Sequence, residues 1–429
     1  MSTSRIDGVA PGSLVPMQRG AAAVGATPNR EVPPAARPRL VGVDATRGVA
    51  LLGMMAVHAL YAYDAQGQPT TSYSLAAGRS AAVFAVLAGV GIAFLTGRRR
   101  VRLGQPAREV AASLAARALV IGAVGLALGY TDVDIAAVIL PYYSLLFLVA
   151  IPLVLLPTAG LVAFGTVMAV GSPFLSHVLR SSLPPADVIN PSLIDVLIDP
   201  LGILTELLLT GEYPVLAWTV YVCFGIAVGR LRLSSPRTAA ALVAAGTVAA
   251  VGAFALSAYL LGPLGGRTRL DAAGTGIADL PVGDILAFGA DGVTPTTTLW
   301  WLAVRAPHTG TPLDLTHTTG PAVALLGALL LLGHVTVPLL RWIIAVVLTP
   351  LAAAGSMTLT LYTAHVVFMN SPLDVFDAVP GYVVQVVAAL LFALAWRQAV
   401  GRGPLESVAH WASRRARRAA GGVRMGVVP

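Results

Sequence analysis

Lysine is missing from the 429-residue chain, cysteine occurs once, and charged residues of every kind make up only 11%. Each shortage excludes something. A lone cysteine, Cys223, inside an apolar run has no partner for an intrachain disulfide or a CxxC site, so its thiol reads as packing. Ordinary soluble domains carry roughly 25% charged residues. At 11%, with 56% hydrophobic residues and a mean hydropathy of +0.79, this chain lacks the polar surface to cover a soluble core. Histidine pairs at HxxxH or HExxH spacing are missing, so no metal is expected; a GxSxG elbow and a GxxxxGK[ST] loop are missing too. Those gaps argue against a zinc enzyme, a serine hydrolase and an ATP-driven pump. No internal repeat is visible, which removes the simplest argument for an inverted-repeat transporter. Residues 1–38 hold no apolar stretch of signal-peptide form and are expected to be a disordered cytoplasmic tail.

What the sequence does contain is a series of apolar runs of about 20 residues, the length that crosses a bilayer. Ten can be drawn: 40–62, 77–97, 109–129, 136–156, 158–177, 213–230, 238–262, 319–340, 342–369 and 380–400. The expected fold is all-α, a polytopic membrane helix bundle of about ten spans, with 39–403 as the transmembrane domain and 404–429 as a basic cytoplasmic tail. The net charge of +8 is carried by arginine alone, clustered at Arg98, Arg99, Arg100 and Arg102, at Arg230, Arg232 and Arg237, and at Arg414, Arg415, Arg417 and Arg418. These clusters fall in alternate connections, which by the positive-inside rule puts both termini of a multi-pass plasma-membrane protein in the cytoplasm. Orientation accounts for the charge, so lipids and not nucleic acid are the expected partners, with homo-oligomers left open. Two connections on the opposite side are long, 178–212 and 264–318, and long loops in compact proteins tend to be functional or disordered. The second contains Trp300 and Trp301, suited to a membrane interface, and His308, Asp314 and His317, which are candidates for a cavity mouth.

Polar side chains inside apolar helices are costly and invite explanation. In "RLVGVDATRGVALLGMMAVHAL", residues 39–60, Asp44, Arg47 and His58 step by threes and fours and share one helix face. His58 stands roughly 20 Å above Asp44 along the axis. Asp44 and Arg47 are either an i, i+3 pair anchoring the first helix or part of an anion site; His58 is either an interhelical donor or a proton-transfer group. In "GSMTLTLYTAHVVF", residues 355–368, Thr358, Tyr362 and His365 make a second polar face. Spans one and nine both run from inside to outside, which puts His58 and His365 at similar depth on different helices, where two imidazoles form a base and a proton relay. Helix-to-helix bonding is the other account of that face.

The first of these stretches resembles the start of the heparan-alpha-glucosaminide N-acetyltransferase-like family and its YeiB-type bacterial relatives, in an Arg-x-x-x-x-Asp-x-x-Arg-Gly pattern at Arg39, Asp44, Arg47 and Gly48. Further stretches follow in the family's order: "VFAVLAGVGIAF" from Val83, "LPYYSLLFLVAIPL" from Leu140, "GEYPVLAWTVYVCFGIAVGRLRL" from Gly211, "PHTGTPLDL" from Pro307, "GSMTLTLYTAH" from Gly355 and "GRGPLE" from Gly401. The resemblance implies a membrane acyltransferase that moves an acyl group from cytoplasmic acyl-coenzyme A, acetyl-coenzyme A in the named case, to an extracytoplasmic sugar or envelope acceptor. On that basis Asp44 and Arg47 hold the donor and His58 or His365 is the catalytic imidazole; Tyr362, on the polar face with His365, and His308 and Asp314, in the long loop, are the candidates for contact with substrate. The family's lysosomal enzyme keeps its catalytic histidine in the loop after the first span, where residues 61–76 here have none; His58 stands a few positions earlier, in place of an asparagine. The competing expectation is a transporter or exporter of a small anionic or lipid-linked solute, using the same polar faces as its path.

Overall fold

A computed structural model of the chain describes residues 40–183, 189–277 and 280–422. The expected tail 1–38 and Arg39 lie outside them. The first part of the chain forms α1 (Val41–Ala59), α2 (Thr71–Ala76), α3 (Arg79–Leu95), α4 (Gln105–Leu128), α5 (Leu140–Leu153) and α6 (Thr158–Arg180). Short helices α7 (Leu193–Ile198) and α8 (Pro200–Thr205) lead through a π-helical turn into α9 (Val215–Gly229), with a 55° bend across the break. Next come α10 (Pro236–Leu261), α11 (Gly266–Ala273), α12 (Val282–Phe288) and α13 (Pro312–Leu332). The chain ends with α14 (Pro338–Gly355), α15 (Thr358–Met369), α16 (Ala378–Ala399) and α17 (Pro404–Ala420).

Among the described residues, seven helical segments are long and apolar enough to cross a membrane, eight if the bent pair is one span, and α5 and α15 are shorter apolar helices. α1 has the length but not the hydropathy, because Asp44, Arg47 and His58 dilute it. Each of the ten expected runs lies on a helix, with two differences of outline. The run 342–369 is two helices, α14 and α15, broken at Ser356 and Met357. Gly355, the last residue of α14, stands at the break and lies against the backbone of Asp44 and Gly48. The segment 404–429, expected to be a tail, forms helix α17 as far as Ala420 and packs along α4, with Ser413 Oγ 2.7 Å from Ser113 Oγ.

Close backbone approach governs the core. The α3–α9 crossing is made by Gly89 and Gly225, where a Cβ on either would strike the opposing backbone at Val222 or Val86. Such small-residue contacts are how helices pack without a hydrophobic drive between them. α9 is buried nearly throughout, whereas α6, α10 and α16 turn most of their apolar residues outward, toward lipid.

The arginine clusters gather at one end of the bundle. Arg100 donates to the Leu155 carbonyl at 2.5 Å, and Arg230 donates to the Leu156 and Val154 carbonyls at 2.7 and 3.0 Å. Cations on the last carbonyls of a helix are favourable, and here they cap α5. Arg47 reaches the Leu87 carbonyl at the middle of α3, while Gly53 lies against Ser80 near its start, so α1 runs antiparallel to α3 and begins at the end where α3 finishes. His58 marks the other.

Candidate functional site

α1 begins with its polar pair formed. Arg47 donates from Nη1 to Asp44 Oδ1 at 3.1 Å and from Nη2 to the Leu87 carbonyl at 3.3 Å. Gly91 leaves the room the guanidinium occupies, since a Cβ there would come within 3.3 Å of Nη2. The rest of the arginine faces a cavity of about 280 Å³ between α1, α3, α4, α5, α15 and α17. Arg117 from α4 lines the same cavity with its guanidinium 5.7 Å from the Phe147 ring centroid, and it makes no hydrogen bond or ion pair among the described residues. Two guanidiniums therefore face one small space, with Asp44 bonded to Arg47 and the Glu406 carboxylate on the same wall.

The mouth is closed on one side by α17, which contributes Glu406 and Ala409. Glu406 is the cap of α15: Oε1 accepts from the Leu359 and Thr360 amides at 2.6 and 3.2 Å, and Oε2 accepts from Thr360 Oγ1 at 2.7 Å. A carboxylate on free N–H groups at a helix start is satisfied by hydrogen bonding and by the helix dipole together. This is how the chain restarts as α15 after the Gly355 break.

The rest of the wall is aliphatic and aromatic, with Leu87 and Phe147 against the arginines and Ile92, Tyr143 and Met54 beside them. Tyr362 lies at the far end, its hydroxyl oxygen 3.3 Å from the Ile139 amide that donates to it. One helical turn beyond Met54 and Tyr362 are His58 and His365. Their rings face each other 5.3 Å apart with planes 7° off parallel, and His58 Nδ1 is 3.1 Å from His365 Nε2. His365 Nδ1 in turn is 2.6 Å from Gln385 Oε1 on α16.

The three groups fix one another's protons. An amide oxygen only accepts, so His365 carries its proton on Nδ1 and leaves Nε2 as an acceptor. His58 then donates from Nδ1 to that nitrogen. Its own Nε2 is left with a free lone pair and no hydrogen bond among the described residues. His365 is buried and His58 half-buried, so His58 presents the more accessible edge of the pair and His365 stands behind it.

The remaining substrate candidates separate. His308 belongs to a loop wedged between others: Gly289 and Gly292, both at positive φ, let the 289–292 stretch touch Pro307 and Gly211. His308 itself has φ 53, unusual for a residue with a Cβ, and its Nδ1 is 3.2 Å from Glu212 Oε1 without hydrogen-bond alignment. Burial pulls its imidazole down to about 4, so it is neutral at pH 7. Its ring meets the Tyr213 edge at 5.4 Å, and Tyr213 donates to the Ala137 carbonyl beside Ile139, which ties this loop to the Tyr362 end of the cavity. Asp314 is not at the cavity. Its Oδ2 accepts from the Gly310 amide at 3.0 Å and its own amide donates to Thr311 Oγ1, so it caps α13.

Arg117, Gln385 and Glu406 were not singled out from the sequence, although each carried a signal. Gln385 is a lone amide in the apolar run "YVVQVVAALL", Arg117 is a lone cation in "SLAARALVIG", and Glu406 ends "GRGPLE". Isolated polar groups in spans deserve the attention given to Asp44 and His58. Among the described residues no group of three or more His, Cys, Asp or Glu side chains has an arrangement that would hold a metal.

No curated protein matches the chain. A family description does: residues 39–262, just over half of the chain, match heparan-alpha-glucosaminide N-acetyltransferase, catalytic, from the first residue of the Asp44–Arg47 pattern to the end of α10, and the chain belongs to that family.

Proposed function

We propose that this protein is a membrane acyltransferase that takes a short acyl group from acyl-coenzyme A at the arginine-rich, cytoplasmic face and passes it to an amine or hydroxyl of an envelope glycan at the other face. The observation that carries this reading is the order of groups along one path: an unpaired Arg117 beside Arg47, a narrow apolar cavity, and then a half-buried imidazole whose proton position is set by two partners. Arginines suit the phosphates of a coenzyme A, and an apolar passage suits a pantetheine arm with its thioester. At about 280 Å³ the cavity lies at the lower limit for ligand sites, so it fits the arm and a small acyl group and leaves the nucleotide outside.

The chemistry follows from His58. Its free Nε2 takes the proton of the acceptor N–H or O–H as that atom attacks the thioester carbonyl. The carbon–sulfur bond breaks, the acyl group stays on the acceptor, and the proton passes from Nε2 to the departing thiolate, releasing a free thiol. The His365–Gln385 pair supports the imidazolium while it holds that extra proton. Met54, flexible and unbranched, stands between cavity and imidazole and is the side chain that yields when the thioester advances.

Purified protein in lipid nanodiscs, given acetyl-coenzyme A and a crude envelope glycan fraction, should release free coenzyme A thiol, read with a thiol reagent. Arg117→Gln is expected to raise KM for the donor, and His58→Gln to abolish release while donor binding persists. Transport of a labelled solute with no thiol release from any acyl-coenzyme A would sink the transferase reading and favour a transporter.

A further inference from the structure

α17 follows α16 after only four residues, so it starts at the edge of the bilayer. One of its faces is used: Ala409 and Ser413 are buried, Ser413 bonds α4, and Arg417 reaches Glu109 at 3.4 Å. The other face is not. Val408, Trp411, Arg415 and Arg418 step by threes and fours along it, with Arg414 beside them, and all five are exposed. Trp411 is 62% exposed with the Arg415 guanidinium 5.6 Å over its ring. Arg414, Arg415 and Arg418 make no ion pair among the described residues, and Glu406 is the sole acid on the helix.

An exposed indole among unpaired arginines at the bilayer edge suits anionic headgroups: the ring seats at the interface, and the guanidiniums meet phosphates. We propose that anionic lipid headgroups dock on the Trp411, Arg414, Arg415 and Arg418 face of α17 and hold this helix in place over the cavity mouth. The effect reaches the site through Glu406. The same helix that meets the headgroups supplies the carboxylate on the Leu359 and Thr360 amides, and α15 carries Tyr362 and His365. Anionic lipid thereby stabilises the start of α15 and the wall of the cavity, whatever ligand the cavity takes.

The test is hydrogen exchange of the intact protein in nanodiscs of phosphatidylcholine alone and of phosphatidylcholine mixed with phosphatidylglycerol, read at the Leu359 and Thr360 amides and along α17. Exchange at both places is expected to be slower in the anionic discs. Replacing Arg414, Arg415 and Arg418 with glutamine should remove the difference, with headgroup association weakened about fivefold per arginine. These positions are exposed, and high salt applied to the wild-type protein screens the same attraction without any substitution. Equal exchange in the two lipids, a difference that survives both the triple variant and high salt, or protection of α17 that follows a co-purifying protein instead of lipid would each overturn the proposal. None of these readouts depends on acyl transfer.

Discussion

Gln385 decides which nitrogen of His58 is free, although it sits on the last span and is two contacts away from that nitrogen. Gln385→Leu removes the acceptor and leaves His365 free to hold its proton on either nitrogen, so His58 loses its fixed partner. By analogy with imidazoles oriented by an outer acceptor, kcat for thiol release should fall roughly 10–100-fold with the donor KM unchanged. Gln385→Glu retains an acceptor and should recover much of that loss with a shifted pH profile; an unaltered rate and profile in Gln385→Leu would remove the relay. His308 gives a second expectation at this scale. Burial depresses its imidazole from an ordinary 6.5 to about 4, so between those values the unfolded chain binds a proton that the folded one does not. Its stabilising contribution is complete above pH 6.5 and is lost progressively as pH falls to about 4, a difference on the order of 3 kcal/mol. His308→Gln should flatten the decline of the melting temperature across that window, measured by thermal unfolding in detergent.

The elements were legible in the sequence in proportion to how far their residues act locally. Apolar runs gave the helices of the bundle, because a span must satisfy its own backbone and therefore reads as a continuous stretch, whereas the arginine-rich α17 read as a tail. The break after Gly355 did not show, since the backbone that Gly355 packs against belongs to α1, more than 300 positions earlier in the chain. Likewise the shared depth of His58 and His365 followed from the two spans running the same way, but their direct contact and the bond from His365 to Gln385 depend on how α1, α15 and α16 are rotated, which no single helix encodes. Gly48 belongs to the opening pattern, yet only the packing explains it: a Cβ there meets the Leu351 carbonyl on α14. Gly48→Ala is thus expected to force α1 and α14 apart and cost roughly 1–3 kcal/mol, visible as a lower melting temperature. Gly252→Ala on the open face of α10, where nothing lies within 4 Å, should be neutral or slightly stabilising. Equal effects at the two positions would mean that the α1–α14 contact is looser than the backbone distances imply.

At the scale of the molecule, function depends on which way the bundle faces. Arg47, Arg117, the Arg98 cluster and the Arg230 cluster share one end, and a donor carrying phosphates is found only where the cell makes it. Excess arginine in short connections is retained on the cytoplasmic side, so the arginine end should face inward and His58 should lie toward the outer leaflet. The scarcity of cysteine makes this simple to examine. Cys223 is fully buried against Gly165, and Cys223→Ala gives a chain with no thiol at small cost. Single cysteines are then placed at two exposed positions, Arg99 at the arginine end and Gln66 in the loop beyond His58. A membrane-impermeant maleimide applied to intact cells is expected to label the Gln66→Cys protein and leave the Arg99→Cys protein unlabelled until the cells are opened. The reverse pattern would put Arg117 outside, out of reach of cytoplasmic coenzyme A. The cavity would then have to be filled from the envelope side, and the transporter would become the better account of the same polar path.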